Sequence, residues 1–124
     1  MKTNEVQSEH NFAETVELIR EAIEASGLKV ISVIDAQGNL NKIGIQISGN
    51  KILEVFHPKL AKEVLDSDVR AGIVPPIRIY IFEDAGKTHV MAQRAVDLFA
   101  PYVSLNDLAV RVDNMLDSAV MSVK

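Results

Sequence analysis

The side chains best suited to chemistry are three histidines, His10, His57 and His89, and one carboxylate set among apolar neighbours, Glu54. Histidine titrates near neutrality and binds transition metals, so any such work would start from these residues. No two of the histidines stand at the i, i+4 spacing of a helix face or the i, i+2 spacing of a strand face, so they form no ligand motif. His57 follows one predicted strand and His89 begins another. In an antiparallel sheet that places them at opposite ends, about 15–20 Å apart at roughly 3.3 Å per residue. We therefore expect turn or surface histidines, no metal site and no cofactor. The pairs Asp66/Asp68 and Glu83/Asp84 fall at a predicted helix end and hairpin turn, where such residues are ordinary. Glu54 differs, because it lies in a strand on the same face as Ile52 and Phe56. It fits either a partly desolvated acid or base or, the reading favoured here, a cross-strand ion pair with Arg78. An enzyme would use Glu54 or His57 as its acid–base group and Arg78 to orient an anionic substrate, and would need them to converge in a concave pocket. Gly44 and Gly49 lack the spacing and the following lysine of a phosphate loop, and no serine sits in a nucleophile elbow. The absence of cysteine rules out disulfides, thiolate metal sites and cysteine nucleophiles.

The elements that must position these groups centre on Lys51 to Asp84. Lys51 to Phe56 reads as a strand ending at His57-Pro58, with Pro58 to Leu65 a short proline-started helix. Gly72, Pro75 and Pro76 suggest an extended connector. Ile77 to Glu83 then pairs with Thr88 to Gln93 through the turn Asp84-Ala85-Gly86-Lys87. Strand side chains alternate, so Ile77, Ile79 and Ile81 point one way and Arg78, Tyr80 and Phe82 the other. The isoleucines can build a core. Tyr80 and Phe82, with Ile52, Glu54 and Phe56 beside them, need a separate cover. From the next strand the neighbours are His89 and Met91, or Val90 and Ala92 in the other register. Three covers fit: a second subunit, which aromatic and arginine enrichment favours; the chain's own Pro58 to Val74 connection; or a ligand.

Around this centre, Asn11 and Glu14 resemble a capping box that opens a helix carrying Phe12, Val16, Ile19 and Ile23, stopped at Gly27. The acidic stripe Glu14, Glu17, Glu21 and Glu24 reads as its solvated face. Thr3 to Gln7 suggests an edge strand, and Leu28 to Ile34 a β-branched strand. Asp35 to Asn50, broken by three glycines, leaves Ile43, Ile45 and Ile47 readable as either strand or helix end. Ser104 is expected to cap a last helix, with Asp107 in support and Leu105, Leu108, Val112, Met115, Ala119 and Val123 as its buried stripe. The expected architecture is α+β over residues 1–124 as one domain: a four- or five-stranded antiparallel sheet, two long helices and one short helix.

Composition sets outer bounds. The 124 residues include 13 basic and 17 acidic side chains, a net charge of −4, and the basic residues are scattered. That balance disfavours nucleic acid, whose binding rests on clustered lysine and arginine. No apolar run approaches the roughly 20 residues of a membrane span, and the polar start carries no apolar signal core. A cytoplasmic protein with no membrane partner is the expectation.

Taken together, FAETVELIREAIEASGLKVISVID, ILEVFHPKLAKEVL and AGIVPPIRIYIFED resemble the bacterial and archaeal family known as domain of unknown function 302. The best markers are Phe12 with Glu14-Thr15, Pro58 with Leu60-Ala61, and Pro75 or Pro76 before the fourth strand. The resemblance implies a β-α-β-β-β-β-α order similar to the TATA-binding-protein-like fold, a homodimer, and no established activity. The family commonly has asparagine where this chain has His57. The functional expectation is a homodimeric, non-enzymatic module that binds a small apolar or amphipathic molecule or a protein partner. The residues that would carry it are Ile52, Glu54, Phe56, Arg78, Tyr80, Phe82 and Met91.

Overall fold

The computed structural model describes residues 1–124. Five strands, β1 (Thr3–Gln7), β2 (Lys29–Asp35), β3 (Asn50–Phe56), β4 (Ile77–Asp84) and β5 (Lys87–Gln93), form one sheet in the order β1-β5-β4-β3-β2. Every neighbouring pair is antiparallel. The helices are α1 (Phe12–Ser26), α2 (Ala36–Asn41), α3 (Pro58–Ser67), α4 (Ala95–Leu98) and α5 (Asn106–Met121). The fold is α+β, as the sequence predicts. The two helices beyond the expected three are short and carry no apolar periodicity of their own.

Local chemistry explains the boundaries. Asn11 accepts the Glu14 N–H at 2.9 Å while its amide reaches the Glu14 carboxylate at 3.1 Å, and α1 ends at Gly27 with φ of 100°. The β4–β5 hairpin closes on two residues, Ala85 (φ 52°) and Gly86 (φ 76°), between the paired Asp84 and Lys87. Positive φ at both central positions is the turn whose twist suits a hairpin.

The core lies between one sheet face and the long helices α1 and α5. Leu53, Val55, Ile77, Ile79, Ile81, Val90 and Ala92 from the sheet meet Ile19 and Ile23 of α1 and Val112, Leu116 and Ala119 of α5, and none of these is exposed. Each fully buried isoleucine or leucine contributes on the order of 1.5–3 kcal/mol of transfer free energy. The three β4 isoleucines therefore anchor the sheet to the helices.

Two local expectations are corrected and one open stretch is decided. Ser104 does not cap the last helix. It lies in a 3₁₀ turn, Val103–Leu105, and shares a 2.6 Å hydrogen bond with Ser67, while α5 begins at Asn106 without a side-chain cap. Gly72 does not belong to an extended connector. Asp68 accepts the Arg70 N–H at 3.0 Å and nucleates a 3₁₀ turn over Val69–Ile73. Between Asp35 and Asn50 a hydrogen bond decides. Asp35 caps α2 through the Gly38 N–H at 3.0 Å, and Ile43 and Ile45 are left exposed in the turn beyond.

Candidate functional site

The second sheet face is ordered by the strand register. One row across the sheet holds Ile34, Ile52, Tyr80, Met91 and Glu5; the next holds Asn50, Phe82, His89 and Gln7. A third aligns Ser32, Glu54 and Arg78. The register therefore selects His89 and Met91, not Val90 and Ala92, as the β5 contribution. Ile34, Ile52, Tyr80, Phe82, His89 and Met91 are all half-buried, unlike the sealed isoleucines behind them.

Three rings on this face form a ladder. Tyr80 and Phe82 stack at a centroid distance of 4.7 Å and 21° between planes, and Phe82 and His89 at 5.1 Å and 18°. The i, i+2 spacing brings the first pair together, and direct cross-strand opposition the second. Asn50 donates from its amide to the Tyr80 hydroxyl, so the polar tip of the ring is satisfied within the subunit. His89 Nδ1 lies 3.8 Å from a Glu5 oxygen at one side of the face.

On the other side Glu54 and Arg78 oppose each other, with Arg78 Nε 3.7 Å from Glu54 Oε2, while Ser32 donates to Glu54 Oε1 at 2.7 Å. Both carboxylate oxygens are engaged. The pair borders a shallow depression of about 440 Å³ with Gln93, Leu98 and the Ile73–Pro76 segment. Gln93, not singled out from the sequence, accepts the Arg78 N–H at 2.9 Å. His57 lies outside this depression. Its Nδ1 accepts the Lys59 N–H at 3.1 Å and so caps α3. The three residues of the enzyme reading thus divide into an ion pair and a helix cap. His10 lies 3.4 Å from Glu14, and nowhere do three His, Asp or Glu side chains gather in a way that could hold a metal ion.

Phe56 is the misplaced member of the expected set. It is 1% exposed, not part of a surface shared with Ile52 and Glu54. The chain reverses at His57-Pro58, and α3 with the Val69–Ile73 turn closes over that end of the sheet. Phe56 there shares walls with Pro58, Ala61 and Val64. A register shift between Val30 and Ser32 in β2 accompanies this closure. Internal cover therefore operates at the Phe56 end, while Tyr80 and Phe82 remain half-buried.

The family model described as Domain of unknown function DUF302 matches residues 4–123. This chain belongs to the DUF302 family. A similar solved structure is the crystal structure of uncharacterized conserved protein DUF302 from Bacillus stearothermophilus. It aligns with a TM-score of 0.91 at 20% identity, covering 100% of this chain and 99% of that one. Likeness at that identity shows the shared fold. No curated protein matches this DUF302 chain. None of its helices is long and apolar enough to cross a membrane.

Proposed function

We propose that this DUF302 chain is a single-domain, non-enzymatic binding module whose outer sheet face closes against a second copy of itself. The observation that carries the reading is the Tyr80–Phe82–His89 ladder, flanked by Ile34, Ile52 and Met91 and bordered by charged pairs. An apolar, aromatic centre with a polar rim is the anatomy of a protein interface. Its extent also fits. Five strands at about 4.8 Å spacing and about six residues of length give on the order of 480 Å² of plan area. With the Phe56 end already covered by α3, two copies together reach at most about 1,000 Å², the lower bound of a specific interface. Glu54/Arg78 at one border and Glu5/His89 at the other offer charges of both signs to a symmetric partner.

Sedimentation velocity over a wide concentration range tests this. The wild-type chain is expected to sediment as a dimer, Tyr80→Ala to dimerise more weakly, and Phe82→Asp to sediment as a single chain. The aspartate would bring an unpaired charge into the closed face of each subunit, a cost of several kcal/mol or about 10³-fold or more in the dissociation constant. Circular dichroism reports whether each variant keeps its fold. If both variants keep the wild-type mass and stability, the interface lies elsewhere.

A further inference from the structure

The end of the sheet closed by α3 contains a second feature, unconnected with the ring ladder: a cavity of about 290 Å³. Phe56 and Val64 close it from behind, while Ile31, Ala61 and Leu65 are its solvent-accessible apolar lining. Ile31 is 58% exposed and Leu65 49%, an unusual placement for large aliphatic side chains beside a hollow. His57 supplies the one titratable group in the lining. Its Nδ1 is occupied as an acceptor by the Lys59 N–H, so in the neutral ring the proton resides on Nε2, which has no hydrogen-bond partner in the protein. The site is thus an apolar hollow bordered by one side chain with a free hydrogen-bond donor.

We propose that this hollow binds a small amphipathic molecule, with an aryl or branched aliphatic body against Ile31, Ala61 and Leu65 and a carboxylate or carbonyl oxygen accepting from His57 Nε2. The volume sits just below the roughly 300–1,000 Å³ typical of ligand pockets, which excludes a helical peptide and limits the guest to a small compound. A guest body would remove the Ile31 and Leu65 side chains from water, which supplies the apolar driving force. The single donor sets orientation and selects an acceptor head. The proposal does not rest on the dimer reading, because no ladder residue lines the hollow.

The test is an ¹H–¹⁵N NMR titration of the full chain with 3-phenylpropionate and, separately, 3-phenylpropylamine, which has the same body and a donor-only head. The acid is expected to give saturable shifts centred on the Val64 and Leu65 amides, and the amine to bind at least about tenfold more weakly because its ammonium cannot accept from His57. Ala61→Leu should abolish the acid's shifts by filling the hollow. His57→Asp keeps a strong N-cap residue for α3 but carries no donor, and should weaken the acid by at least about fivefold, the worth of one hydrogen bond. Absence of saturable shifts at the hollow would overturn the proposal. So would wild-type affinity in either variant, equal binding of acid and amine, or shifts confined to Tyr80 and Phe82, which would assign the guest to the outer face.

Discussion

Asp113 offers the sharpest test of how the fold is held together. It is 3% exposed on α5, where it reaches across to the start of α4. One carboxylate oxygen accepts the Ala95 N–H at 2.6 Å, the other the Val96 N–H at 3.0 Å, and Arg94 Nη2 lies 3.6 Å away. Arg94 also donates to both oxygens of Asp117, which accepts the Asn4 amide of β1 at 2.8 Å. The network ties α5 to the β5–α4 corner and to the edge strand. In Asp113→Ala, two hydrogen bonds to a charged acceptor disappear, each worth about 1.5–3 kcal/mol, and the Ala95 N–H is left buried without a partner. The Val96 side chain is partly exposed, and we expect water to reach its N–H and recover part of the loss. The expected cost is about 3–4 kcal/mol. Asp113→Asn keeps one acceptor and should lose about half as much.

Urea denaturation followed by circular dichroism measures both values. At about 3–4 °C per kcal/mol for a chain of this size, Tm for the alanine variant should fall by roughly 10 °C. A loss below about 1 kcal/mol for Asp113→Ala would refute the reasoning, because it would mean that the corner is solvated and the network idle. Arg94 supplies an internal control. Its hydrogen bond to Asp117 raises its pKa above the ordinary arginine value; burial opposes this, and the charges of Asp113 and Asp117 add to it. A folded pKa above the unfolded one gives stability that is fully present below the unfolded value and lost only as pH climbs through the raised one. Arg94→Met should therefore cost the same at about pH 7 and about pH 10, both below the titration of arginine.

Two further substitutions probe the backbone. Gly49→Ala would set a Cβ 2.5 and 2.6 Å from Phe12 ring atoms and 2.7 Å from Glu83 Oε1, so it should destabilise by about 1–3 kcal/mol in the same urea assay. Ala85→Asn places a residue tolerant of left-handed geometry where alanine now holds φ at 52°, and should stabilise by about 0.5–1 kcal/mol, read as a higher Tm.

The ring ladder was half legible. Alternation along β4 separates Ile77, Ile79 and Ile81 from Arg78, Tyr80 and Phe82, and a period of two admits no other division. That His89 and Met91 join the second set depends on a two-residue turn at Ala85-Gly86, and one more residue there would have exchanged them for Val90 and Ala92. Phe56 was misread because alternation assigns this last residue of β3 to a face without saying what covers that face. Its burial comes from α3 folding back after Pro58. Asp113 passed unnoticed, although an acid among Ala109, Val112, Leu116 and Val120 on α5 was a readable signal of a buried, partnered carboxylate.

Local rules act over a few residues, and the chain alone determined whatever those rules reach. The start of α1 at Asn11, its stop at Gly27, the proline-led α3, the tight hairpin and the two-sided character of β4 all follow from hydrogen bonds and sterics within one turn or one strand. Contacts between residues far apart in sequence obey no such short rule. The Ser32 hydrogen bond to Glu54, the hollow between α3 and Phe56, and the α5 carboxylates that clamp the β5–α4 corner required strands and helices to be brought together first. Only the packed tertiary structure decided those.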